Sequence, residues 1–367
     1  MAATTTAAAQ EARSDTRVAP REGATLGVLQ VALGALWLTD AALQFQPYMF
    51  GRGFVTGVLE PAAGGTPWVV RWPAHLAANV MIGHVALFNA CFASTQLLIA
   101  VAIFSKRLRR LGLAASIGWS LSVWWLGEGI GGLTTGATAL TGAPGAALLY
   151  AFAAVLLWPR GGISEQALLA RSTPSRALSA APKAAWAALW LSFAYLELQP
   201  ADRSPSALHR LVASMAAGEP GWIATIDRAL AGPLAHRGTE WSFALGAVYL
   251  VIAVSVFSAM ALEAGLLTSI VVASAIWLVE GFGGVFTGAA TDVNTGPLLV
   301  LLALTVWTRS HVTARGDPAR VRQSRDSRTH RLGFREFGPP AAPGEAASRT
   351  SPRAGRRPSQ PHAVATS

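Results

Sequence analysis

The sequence predicts an all-α integral membrane protein made of two parallel tandem repeats of about four transmembrane helices each, about eight in total. Three observations carry this expectation: a shortage of charged residues, recurrent apolar runs of membrane-crossing length, and an internal repeat with an offset of 152 to 153 residues.

Of 367 residues, 52% are hydrophobic and 13% charged, about half the charged fraction of an ordinary soluble domain. Candidate spans are Leu26–Phe45, Val85–Phe104, Leu111–Gly127, Pro144–Trp158, Ala184–Leu198, Trp241–Leu262, Gly265–Val279 and Pro297–Trp307. About 20 apolar residues cross ~30 Å of hydrocarbon as a helix. The fourth and eighth runs are shorter, which leaves open six spans with two re-entrant segments at Gly129–Ala143 and Gly281–Gly296, uncharged apart from Asp292. A membrane barrel needs alternating strands, whereas these runs are continuously apolar and rich in Ala, Leu and Gly.

Basic residues set the expected orientation. With eight spans, 23 Lys and Arg collect on one side and six on the other: Arg52, Arg71, Arg203, Arg210, Arg228 and Arg237. The positive-inside rule then puts both termini in the cytoplasm, with Lys106, Arg107, Arg109 and Arg110 as the strongest local determinant. Arg outnumbers Lys 27 to 2, as in a GC-rich bacterial genome, so the expected location is a bacterial plasma (inner) membrane. Residues 1–24 lack the layout of a cleaved signal peptide and read as a disordered cytoplasmic lead. Repeat one is placed at 25–160, a linker at 161–183, repeat two at 184–309 and a disordered basic tail at 310–367. From Arg309 onward twelve Arg face four acids, a charge that draws anionic lipid head groups at about 1 kcal/mol per basic residue near the surface. Charge alone also allows nucleic acid, which is not expected as a partner.

The repeat is visible in paired segments. Trp124-Trp125-Leu126-Gly127-Glu128-Gly129-Ile130-Gly131-Gly132 recurs as Ile276-Trp277-Leu278-Val279-Glu280-Gly281-Phe282-Gly283-Gly284. Leu36-Trp37-Leu38 through Gln46-Pro47 matches Leu189-Trp190-Leu191 through Gln199-Pro200, and Gly112 with Ser116 matches Gly265 with Ser269. Within each copy a long segment separates the first two spans. In the second copy it carries Trp222, Ile226, Leu230 and Leu234 at helical spacing, the pattern of an amphipathic helix on the outer membrane face.

Glu128 and Glu280 are the first site candidates, because a Trp-rich apolar helix runs into a carboxylate flanked by glycines in both copies, and an acid at membrane depth is costly unless partnered. The loops that follow contain Thr135 and Thr287. The next helix, starting near Pro144 or Pro297, turns its unpaired amides toward the acid. Two readings follow: a small-molecule, cation or proton site, or a carboxylate that accepts loop hydrogen bonds and orders a turn. Asp40 lies within the first span, and its counterpart is Phe193. With Gln44 and Gln46, and with Asn89 and Gln96 seven residues apart on one face of span two, it would line a cavity or hold helices together. Glu197 stands at the place of Gln44. His75, His84, His209 and His236 lack ligand spacing, Cys91 is the only cysteine and is expected to pack, and no metal or cofactor is implied. Most of the thirteen Trp mark span ends, while Trp119, Trp124, Trp125 and Trp277 read as packing. No nucleotide motif or nucleophile-base-acid constellation is present, which disfavours an enzyme of the soluble type.

The run Leu33-Gly34-Ala35-Leu36-Trp37-Leu38 with its Gln46-Pro47 exit resembles the first span of DoxX/DoxD-type four-helix membrane proteins, some of which are associated with quinone-linked sulfur oxidation. The basic residue expected near the end of that span is replaced by Gln44 and Gln46. The Glu-Gly-x-Gly-Gly element resembles part of an uncharacterised family of bacterial multi-pass membrane proteins. Together these features point to small-molecule or ion binding and transport at the repeat interface. A quinone-associated redox subunit and a structural or assembly protein without substrate are the alternatives.

Overall fold

The structure, a computed structural model, describes residues 24–159 and 176–315. The expected lead, most of the linker and the lipid-attracting Arg tail lie outside the described residues. The structure is 76% helix with no strands among the described residues.

The principal helices are α1 Ala24–Leu43, α2 Trp68–Met81, α3 Val85–Phe104, α4 Arg109–Leu126, α5 Ala146–Leu156, α6 Arg176–Glu197, α7 Ala207–Met215, α8 Gly221–Leu234, α9 Gly238–Ser255, α10 Leu262–Val279 and α11 Thr295–Arg315. A chain of short helical turns from Pro47 to Ala63 joins α1 to α2. The starts of α2, α3 and α4 at residues 68, 85 and 109 are followed 153 residues later by those of α8, α9 and α10 at 221, 238 and 262.

Four helices, α1, α3, α9 and α10, are long and apolar enough to cross a membrane, against the eight spans expected. The difference has local causes. α5 has only 11 residues and rises ~16 Å, while α4, α6 and α11 have the length but carry Arg109 and Arg110, Arg176 and Lys183, or Arg309 and Arg315. α6 begins at Arg176, inside the stretch read as linker, because the Ala-rich run after it is strongly helix-forming. α11 likewise continues past 309 to Arg315.

Many exposed side chains are large and apolar: Leu87, Leu98 and Val101 on α3, Phe243, Leu250, Val251 and Val254 on α9, and Leu267 and Val271 on α10. Patches of this extent are foreign to a surface in water and suit hydrocarbon. Cys91 belongs to this exposed class. It was expected to pack, but it lies off the face of α3 that buries Asn89, Ala93 and Gln96.

Inside, one apolar core runs through both halves, from Leu33, Trp37, Ile103 and Leu149 to Trp186, Trp190, Phe193 and Tyr249. Two close approaches set its hairpins. A Cβ on Gly112 would meet the backbone of Ala102 and Ile103, and one on Gly265 would meet Ser255, so these small residues let α4 and α10 fold back tightly on α3 and α9. One end of the molecule carries Lys106 to Arg110 and is called the basic side; the other is the loop side. The basic side is sealed by Gln30, whose Nε2 donates to Leu157 O at 2.7 Å and whose Oε1 accepts from Arg109 Nη1 at 2.8 Å. Arg309 Nη2 donates to Leu156 O at 2.8 Å and Trp158 O at 3.0 Å, satisfying carbonyls at the end of α5.

The Glu-Gly-x-Gly-Gly element folds as a left-handed turn. Gly129, Ile130, Gly131 and Gly132 have φ of 55°, 55°, 63° and 69°, and Gly281, Phe282, Gly283 and Gly284 have 60°, 57°, 70° and 67°. Each L side chain in this conformation costs about 1–2 kcal/mol, so three glycines in four positions make the turn affordable. It closes through Gly131 N–H to Glu128 O at 2.9 Å and Gly283 N–H to Glu280 O at 3.1 Å. A Cβ on Gly131 would overlap the carbonyl oxygen of Pro144, whereas one on Gly136, also left-handed, would meet nothing. Gly136→Ala is therefore expected to cost about 1–2 kcal/mol and Gly131→Ala clearly more, measured as unfolding in detergent. Equal losses would contradict this reading of the turn.

Candidate functional site

Each glutamate sits at the end of an apolar helix and reaches the first turn of the helix beyond the left-handed turn. Glu128 Oε1 accepts from the Ala147 amide at 3.0 Å, and Glu280 Oε1 accepts from the Thr295 hydroxyl at 3.3 Å. An anion at a helix N-terminus satisfies an orphan amide and opposes the positive dipole end. The folding role expected for these acids is thus present in one oxygen, while Oε2 of both is buried without a hydrogen-bond partner. A Cβ on Gly145 would fall on Glu128 Oε2, so glycine there makes room for the carboxylate.

The tryptophans before each acid take a different register from the sequence match. Trp124 Nε1 donates to Pro144 O at 2.7 Å and Trp277 Nε1 to Val293 O at 2.9 Å. Trp124, not Trp125, is therefore the counterpart of Trp277. The extra residue of the first half is absorbed at the helix end, where Glu128 N–H bonds back five residues to Val123 O, while Glu280 N–H bonds back four to Ile276 O. The second loop is three residues shorter, since α5 and α11 start 149 residues apart rather than 152.

In the first half the elements enclose a cavity of about 230 Å³. Trp37, Phe54, Phe92, Trp119, Leu59 and Met81 wall it, and Asp40, Gln44, Gln96, Glu128, Tyr150 and Asp292 supply its polar part. The sequence placed Glu128 and Asp40 in separate sites; here they share one. The carboxylates of Asp40, Glu128 and Asp292 are near enough to repel one another, and Tyr150 and the Val293 amide face Asp40. No Lys, Arg or His lines the cavity. Asp40, Gln44, Gln96 and Tyr150 are 1%, 3%, 7% and 2% exposed. Nevertheless Gln44 Oε1, Gln96 Oε1, Trp119 Nε1 and Glu128 Oε2 have no hydrogen-bond partner, and Asp40 and Tyr150 have only each other and the Val293 amide within reach. Buried polar groups are ordinarily paired. Asp292 differs, being held by Asn294 N–H at 2.7 Å and the Thr291 hydroxyl at 2.8 Å.

A second cavity of about 320 Å³ lies between the two glycine loops, lined by Gly131, Gly132, Thr141, Gly142, Gly283, Asn294 and others. It shares Val58, Glu128, Ala146, Thr291 and Asp292 with the first, so the two cavities adjoin. Asp40 is ~15 Å of helix from the Gln30 seal, about half the thickness of a hydrocarbon core.

Other expected site residues fall outside. Asn89 is fully buried and donates to Gln44 O at 2.7 Å, supporting a cavity residue without lining the cavity. Gln46 is not in the lining and its Oε1 has no hydrogen-bond partner. Thr135 and Thr287 are exposed and donate to Gly132 O and Gly284 O, closing their own turns. Tyr150, Trp119 and Asp292, not singled out for a site from sequence, belong to it.

The corresponding place in the second half is filled. Phe193 stands for Asp40, Tyr249 for Gln96 and Leu299 for Tyr150, and Trp190, Phe193 and Tyr249 stack with ring centroids 5.2 to 5.8 Å apart. α8 exists as expected, but its buried stripe is Ile223, Ala224, Asp227 and Ala231 while Trp222 and Leu230 are exposed. Asp227 on the same helix is fully buried, and burial raises its carboxyl above the usual carboxylate range.

Among the described residues no group of three or more His, Cys, Asp or Glu is placed to hold a metal ion. No protein-family model, curated protein or solved structure matches the chain.

If Glu128 acts on the fold as a cap, Glu128→Ala is expected to cost ~1 kcal/mol in detergent unfolding, and Glu128→Gln, which keeps an acceptor oxygen for Ala147, much less. Equal losses would assign the stability to charge instead.

Proposed function

We propose that the chain is a bacterial inner-membrane protein of two parallel four-helix copies that binds a small molecule in the cavity of its first half, as the loop-side-open state of a transporter. The observation that carries this reading is a buried, mainly aromatic and aliphatic cavity with acids and amides in its wall, adjoined by a second cavity between the two glycine loops. Substrate sites near mid-membrane, lined by broken helices and contributed to by both repeats, are a transporter feature. Here Thr291 and Asp292 of the second half complete a cavity built mainly by the first.

Support for two copies comes from the shared starts of α2 to α4 and α8 to α10 and from the paired left-handed turns. In this reading α5 and α11 are the last spans of their copies, with the glycine loops dipping toward the membrane centre. An even number of spans per copy keeps both in one orientation, with the basic side cytoplasmic.

The test is labelling of Val58→Cys, a residue common to both cavities, in a Cys91→Ser background reconstituted in right-side-out vesicles. A membrane-impermeant thiol reagent added outside is expected to modify it at least tenfold faster than a Leu149→Cys control in the core. Labelling no faster than the control removes the open path. Native mass spectrometry and a visible spectrum of the purified chain separate the redox alternative: a bound quinone or haem overturns the transporter reading.

A further inference from the structure

The chemistry of the cavity restricts what it holds. Three carboxylates converge with no cation among the lining residues, so an occupant that brings positive charge removes their repulsion. With Asp40 and Tyr150 facing each other, three unpartnered acceptor oxygens, on Gln44, Gln96 and Glu128, outnumber the one unpartnered donor, Trp119 Nε1. The occupant is therefore rich in donors.

The remaining wall is aromatic. Phe92 and Trp119 lie with ring centroids 5.4 Å apart on one pair of helices, and Trp37 and Tyr150 at 4.3 Å on another. Faces of this kind attract cations, most strongly when water is excluded. A metal ion is a poorer match, because no carboxylate group here has the spacing of a ligand set. Size narrows the choice further: an apolar cavity of about 150 Å³ takes benzene, and this one is about 230 Å³.

Resting on the binding role proposed above, we infer that the cavity takes a small organic cation bearing N–H donors, of the size of a monocyclic primary amine. Its ammonium lies among Asp40, Glu128 and Asp292, and its hydrocarbon part lies against Phe92 and Trp119. A quaternary ammonium carries the charge but leaves the three oxygens unpaired, and burying an unpaired polar group is costly.

The experiment uses the full chain in lipid nanodiscs and radiolabelled 2-phenylethylammonium. Saturable binding is expected, with its N,N,N-trimethyl derivative competing at least tenfold more weakly and 3-phenylpropionate not at all. Asp40→Asn is expected to weaken binding at least tenfold at an unchanged unfolding temperature. Should that variant not fold, the comparison of probes on the native chain decides alone. Equal competition by the trimethyl derivative overturns the donor requirement. Preferential binding of 3-phenylpropionate or of a soluble quinone analogue overturns the cation assignment while leaving a small-molecule site. If no probe binds, the assignment falls, and the Val58→Cys labelling decides separately whether the open path stands.

Discussion

The architecture depends on a carboxylate that caps a helix from across a left-handed turn. Glu128 and Glu280 end one apolar helix and hold the start of the next, and the glycines between them let the backbone reverse hand within four residues. This places the N-termini of α5 and α11 beneath a layer of loops. α5 then needs only 11 residues to reach the Gln30 seal. The space left above it is where the two cavities meet.

Within that common framework the halves differ in what fills the centre. In the second, Trp190, Phe193 and Tyr249 interlock and put no carboxyl or amide at the place of Asp40, although Trp190 Nε1 and Tyr249 Oη are buried without a hydrogen-bond partner. In the first, Asp40, Gln96 and Tyr150 occupy the matching positions, and Gln96 Oε1 is unpaired. Leaving buried polar groups unsatisfied destabilises a fold, and proteins retain such groups chiefly where function requires them. Both halves bury unpaired polar atoms, and the first differs in carrying a carboxyl and an amide at Asp40 and Gln96 where the second carries rings, while the second contributes the Thr291-Asp292 wall.

Much of this was legible in the sequence because the same motifs stand in it twice. The Glu-Gly-x-Gly-Gly pairs marked the turns, Gly112 with Gly265 marked the hairpins, and the mismatch of Asp40 with Phe193 marked the divergence. What stayed hidden is tertiary. Asp292 reaches Asp40 from more than 250 positions away in the chain, and Tyr150 sits in a helix whose apolar pattern gives a tyrosine no special place. The register of Trp124 depends on one extra residue absorbed at a helix end, and α9, apolar on most of its surface, carries little periodic signal of which face is buried.

The central claim is that the first half carries a ligand cavity where the second carries packing. Transplanting the second half's residues into the first, as Asp40→Phe with Gln96→Tyr, tests it directly by unfolding temperature in detergent. If the cavity exists for a ligand rather than for the fold, the double variant unfolds at or above the temperature of the native chain, since aromatic packing replaces a buried carboxyl and a buried amide. A variant that unfolds well below it, or does not fold, would show that Asp40 and Gln96 hold the bundle together.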